Sequence, residues 1–197
     1  MQCAVALAVL CLWQIASTTT LFGDPRTISF FSTPVAVVAR RHWVMIAANA
    51  PVALLMGGVA PELLEPPVNV MRLSLHPDGL SPRIANLGAW QAHAVERLRR
   101  QHRATGDKRI EALLSEISGY DYAGQGIDER EPAHGPASDV AVPLKLRTDA
   151  GLLSFLSTTT IFGTAVEITL SELVLEAFYP ADQATGDILR RLTPAPR

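Results

Sequence analysis

The chain has 197 residues, 48% of them hydrophobic and only 18% charged. That is ample apolar material for a core and too little charge for a disordered chain. The formal net charge of −2 lacks the basic excess from which phosphate-neutralising nucleic-acid binders draw their affinity. Cys3 and Cys11 both precede the globular part, which excludes a disulfide or a thiolate metal site there and fits a cytoplasmic location.

Residues 1–29 read as an apolar N-terminal extension. Its first stretch, MQCAVALAVLCLWQIA, carries no charge but is shorter than the roughly 20 residues a membrane-spanning helix needs. It lacks the basic start of a secretory signal. A signal-like segment, a buried strand or helix, and an artefact of the assigned start are the readings left open. Residues 17–31, STTTLFGDPRTISFF, echo residues 157–170, STTTIFGTAVEITL. A rearranged fragment of a second copy would give this echo, and so would chance likeness between strand sequences.

Residues 34–49 read as two short strands, with Arg40, Arg41 and His42 in the turn between them. Asn49 and Pro51 then open a helix over Val52–Met56 that stops at Gly57 and Gly58. Pro61, Pro66 and Pro67 make residues 59–67 loop. A short apolar segment from Asn69 runs into His76, Pro77, Asp78 and Gly79, which is turn chemistry. Ser81 and Pro82 mark another helix start. Leu87, Trp90, Ala94 and Leu98 then fall on one helical face, with Glu96, Arg97, Arg99 and Arg100 mostly off it. Gly106 is a stop and Asp107 a new cap, and Ile110, Leu113, Leu114 and Ile117 form the next stripe.

Residues 119–139 are polar and rich in glycine and proline, and read as a surface loop. Strand alternation follows from Val140 through Val142, Leu144 and Leu146. Asp149, Ala150 and Gly151 turn the chain into a second strand, Leu152–Ile161. Phe162, Gly163 and Thr164 turn it again. Residues 168–179 fit helical and strand spacing equally, and Pro180 ends them. Two strands, a helical block and about three strands make an α+β plan built on an antiparallel sheet.

Four strings in this order resemble one known family: PVAVVARRHWVMIAANA (34–50), HPDGLSPRIAN (76–86), VAVPLKLRTDAGLLSFLSTTTIFGT (140–164) and ITLSELVLEAFYPAD (168–182). They are similar to the ligand-binding domain of MmyB-like transcription regulators, the C-terminal part of helix-turn-helix regulators of the xenobiotic-response-element type. The resemblance covers residues 30–183 and leaves 184–197 as a C-terminal tail. It implies a PAS-like fold, with the helical block inserted between strands two and three, and a strand at 168–179. It implies a bacterial regulatory domain that binds a small apolar, fatty-acid-like ligand. Members carry an N-terminal helix-turn-helix domain of the type whose second helix enters the major groove. The residues before position 30 hold only Asp24 and Arg26 as charges and make no such helix. This chain is therefore expected to make no direct nucleic-acid contact and no membrane contact. Its output would pass through a homodimer, or a heterodimer with a full-length relative.

An apolar ligand needs large apolar walls and one or two polar groups to orient its head. The wall candidates are Trp43, Leu73, Leu75, Trp90, Phe155, Leu156 and Phe162. The head-group candidates are His76, Arg83 and Arg147, the arginines for their bidentate fork. Each wall candidate taken singly is also an ordinary core residue, and His76 is also an ordinary turn residue. His93 and His102 read as solvated, and the Thr158–Thr160 run reads as half-exposed strand. None of the five histidines has metal-ligand spacing, so neither metal nor cofactor is expected. Phosphate loops, nucleophile elbows and paired dinucleotide glycines are missing too. A small hydrolase-like enzyme using His76 and Asp78 as an acid/base pair is the alternative from another class. A non-functional truncated remnant is the third.

Overall fold

A computed structural model describes residues 35–40, 42–122, 142–161 and 173–192. The expected extension over residues 1–29, most of the 119–139 loop, and Phe162 with the turn after it lie outside the described residues.

Two strands open the fold, β1 (Val35–Arg40) and β2 (Met45–Ala48). They pair antiparallel, with an irregularity between Val38 and Ala39. The turn between them holds Trp43 at φ 64, a left-handed conformation that costs a bulky residue roughly 1–2 kcal/mol. Helix α1 (Ala50–Leu55) follows, with a proline in its first turn. The apolar segment after Asn69 is helix α2 (Val70–Leu75). Asn69 Oδ1 accepts from the Met71 and Arg72 amides at 3.0 and 3.2 Å, and such a cap is worth about 1 kcal/mol. Helices α3 (Leu87–Thr105) and α4 (Lys108–Ser118) meet at Gly106 and Asp107. Gly106 takes the left-handed stop at φ 62, and Asp107 Oδ1 accepts from the Arg109 amide at 2.8 Å.

Strand β3 (Leu144–Thr148) begins later than the alternation from Val140 predicts. Pro143 has no N–H to give a ladder, so pairing starts after it. A tight turn closed by Gly151 joins β3 to β4 (Gly151–Ile161). The segment of ambiguous spacing contains strand β5 (Leu173–Pro180). The sheet is antiparallel in the order β2-β1-β5-β4-β3, with the helical block between β2 and β3 in sequence. This is an α+β, PAS-like arrangement.

Gln183–Leu192, largely within the stretch read as tail, forms helix α5. Thr185 is fully buried, and its Oγ1 accepts from the Ser154 amide at 2.9 Å. Ile188 and Leu189 join the main core. The helix thus takes over the side of β4 that β5 leaves at Pro180. The main core lies between the helices and one sheet face. Among the described residues no helix is long and apolar enough to cross a membrane.

Candidate functional site

The site lies where α1, α2 and α3 pack over the sheet. On α3 the buried stripe is Leu87, Trp90, Ala94, Val95 and Leu98. Arg97 comes three residues after Ala94 and seven after Trp90, so it shares that face despite its charge. On β5, strand alternation turns Val174, Glu176 and Phe178 toward the helices. On β4 it turns Leu153, Phe155 and Thr159 the same way.

These faces line a partly open cavity of about 100 Å³. Val52 and Leu55 of α1, Met71 and Leu73 of α2, and Trp90 and Ala94 of α3 supply one side. Leu146, Phe155 and Phe178 supply the sheet side. Phe178 makes an edge contact with Phe155 and a tilted one with Trp90, each with centroids 6.4 Å apart. Trp90 Nε1 donates to Ser74 Oγ at 2.9 Å, which satisfies the one polar atom of a buried indole.

Four polar residues interrupt this wall: Ser74, His93, Arg97 and Glu176. Arg97 Nη1 meets Glu176 Oε1 at 2.6 Å, with only 13% and 9% of the two side chains exposed. Arg97 Nη2 donates to Thr159 Oγ1 at 2.8 Å. Thr159 and Glu176 are register partners across β4 and β5. The guanidinium carbon lies 4.6 Å from the centroid of the Trp43 ring, a cation–π contact. His93 stacks on Trp90 with centroids 5.7 Å apart. Burial lowers its pKa first, and the charges of Arg97 and Arg100 lower it further.

Of the residues singled out from sequence, Leu73, Trp90 and Phe155 lie in this wall. Trp43 is buried one layer behind it, beneath Arg97, with Nε1 donating to Gln101 at 2.9 Å. Leu75 is fully buried in the main core beside the cavity. Leu156 is 42% exposed, because it follows Phe155 and strand alternation turns it to the other face.

The three expected head-group residues stand off the cavity. Arg83 is a clamp: Nε donates to the Arg147 carbonyl at 3.2 Å, Nη2 to the Leu55 carbonyl at 2.8 Å, and Nη1 to the Gly57 carbonyl. Its fork is spent on backbone. Arg147 is exposed on β3. His76 holds a turn, its Nδ1 accepting the Asp78 amide at 3.0 Å and its carbonyl accepting the Ser81 hydroxyl at 2.8 Å. His93, read as solvated, is a wall residue because its place three after Trp90 brings it onto the indole. Thr159 is exposed on β4, as the strand reading expected, and its hydroxyl accepts from Arg97.

Arg97 and Glu176 are the site residues that sequence reasoning missed. A charge at helical spacing within an apolar face, and an acid alternating with Val174 and Phe178, were the available signals. Among the described residues no group of three or more His, Cys, Asp or Glu side chains is placed to hold a metal ion.

A comparison with curated proteins gives no match. Residues 30–192 match the MmyB-like transcription regulator ligand binding domain. That span includes every element of the sheet and the helical block, α5 among them. The chain belongs to the family of MmyB-like transcription regulator ligand binding domains.

Proposed function

We propose that this domain is the non-enzymatic sensing module of a cytoplasmic bacterial transcription regulator. A small molecule with an apolar body and one polar head occupies the cavity and shifts the domain between conformations that control DNA binding in the assembly. The observation that carries this reading is the cavity itself: apolar and aromatic walls interrupted by a buried ion pair, the composition that binds and orients a small ligand. The ligand would lay its apolar body between Leu73, Trp90 and Phe155 and bring its polar head to Arg97 and Glu176.

Size narrows the class. The cavity of about 100 Å³ is smaller than the apolar cavity of about 150 Å³ that holds benzene. Short-chain molecules fit it as it stands, whereas a longer chain either extends through the open side of the cavity or requires α1 or α2 to move.

Filling the space is the test. Ala94 is 4% exposed on α3 and faces the cavity. Ala94→Leu puts a side chain where the ligand body would lie. Native mass spectrometry and ligand-observed NMR with short-chain amphiphiles should show binding to the wild type and at least about tenfold weaker binding to the variant, with the melting temperature held or raised. Equal binding by both, or binding by neither, overturns the reading.

A further inference from the structure

Buried carboxylates are normally satisfied at both oxygens. Glu176 is 7% exposed and lines the cavity. Its Oε1 holds Arg97 at 2.6 Å, while among the described residues Oε2 has no hydrogen-bond partner. An ionised carboxylate accepts only, so whatever completes this site must bring a donor.

The charge balance says what kind of donor. Arg97 is already neutralised by Glu176, and each of its terminal nitrogens already has an acceptor. A ligand carboxylate would place a second negative charge beside Glu176 in a site of low dielectric, where like charges repel strongly. A ligand ammonium would face the Arg97 guanidinium. His93 adds no compensating charge at neutral pH, since burial and the neighbouring arginines hold its pKa down.

Resting on the sensing role above, we propose that the cavity selects neutral ligands whose head carries a hydrogen-bond donor, an alcohol or primary amide on a short apolar body, over the carboxylate of the same skeleton. Glu176 accepts from the head, and Arg97 holds Glu176 in place. The polar end of the site is thus a specificity filter for uncharged molecules.

Three near-isosteric probes separate the terms: pentanamide (neutral, with a donor), pentanoate (charged, without one) and butyl methyl ketone (neutral, without one). By ligand-observed NMR near neutral pH, pentanamide should bind about tenfold or more tightly than either, the scale of one hydrogen bond to a charged group. Pentanoate or the ketone binding as tightly as the amide overturns the proposal. Should none of the three bind while xenon does, the cavity stands and the head-group filter falls. Should xenon fail as well, the sensing role falls and the filter with it.

Glu176→Gln leaves Arg97 without its counter-charge, so pentanoate should gain about tenfold or more and the order of amide and acid should reverse. An unchanged order overturns the proposal. If that variant does not fold, Arg97→Met with Glu176→Leu replaces the pair by apolar side chains of similar volume, an exchange that buried ion pairs often tolerate. There the ketone should bind at least as tightly as the amide. An amide preference that survives removal of both charges overturns the proposal.

Discussion

The imidazole of His93 lies against the Trp90 indole with an interplanar angle of 28°. Its pKa is depressed below 6.5, by burial first and then by Arg97 and Arg100. The fold therefore prefers the neutral ring. The unfolded chain takes up its proton as pH falls through 6.5, while the folded chain does so only at lower pH. The stability that depends on this residue is fully present above 6.5 and is lost as pH falls toward the depressed value. His93→Gln should flatten the dependence of the urea midpoint on pH in that window. Glu116, held below 4.5 chiefly by its hydrogen bond from Arg72, contributes in a separate window: its share is present above 4.5 and fades below it. The two effects can be read apart in one titration. Neither His93 nor Arg97 was legible from sequence, for the same reason. Helical position gives the direction of a Cβ, but which polar residues bend inward depends on partners such as Glu176 and Trp90 that lie far along the chain.

Helix and strand boundaries were more legible, because caps and turns are local chemistry. Gly106, Asp107 and Gly151 act within a few residues of themselves, so the sequence around them suffices. β5 is the opposite case. Its residues are buried on both faces, Val174 and Phe178 against the main core and Leu173, Leu175 and Ala177 on the other side. An apolar run filled on both faces fits the helical and the strand period at once, so spacing alone does not choose between them. The string HPDGLSPRIAN was legible as a motif but not as a role. It is a buckle. A Cβ on Gly79 would lie 2.4 Å from the Leu73 carbonyl oxygen, so glycine is required there by proximity. Arg83 ties the end of α1 to β3. Arg83→Lys keeps the charge but loses the planar fork. We expect about 1.5–3 kcal/mol of destabilisation in urea, on the scale of hydrogen bonds to a charged group. Amide exchange should quicken at Met56 and Val59, whose N–H groups bond within the turn that Arg83 holds.

At the scale of the molecule, the helical block is fastened at both outer strands. On the β2 side Met45 N donates to Val68 O at 2.8 Å and Val70 N to Trp43 O at 2.9 Å. Asn69 Nδ2 donates to His42 O at 3.0 Å. On the β3 side Ala85 N donates to Lys145 O at 2.7 Å. Asn86 gives to Pro143 O at 2.7 Å and accepts from Lys145 N at 3.1 Å. Lifting the block as a unit would break backbone pairing at both edges. The cavity can therefore widen only through local movement, and α1 and α2, six residues each, are the short elements in its wall. In a homologous series of primary amides, affinity should climb about fourfold per methylene, the value of burying about 0.8 kcal/mol of apolar chain. It should stop climbing once the body exceeds about four carbons, the six of benzene scaled to the smaller volume of this cavity. Isothermal titration across the series checks this, and Arg83→Lys, which frees the end of α1, should move the break to longer chains. Two fastenings that look purely structural thus amount to a ruler: they convert the length of a molecule into a threshold, and the position of that threshold is written in the clasped edges of the sheet.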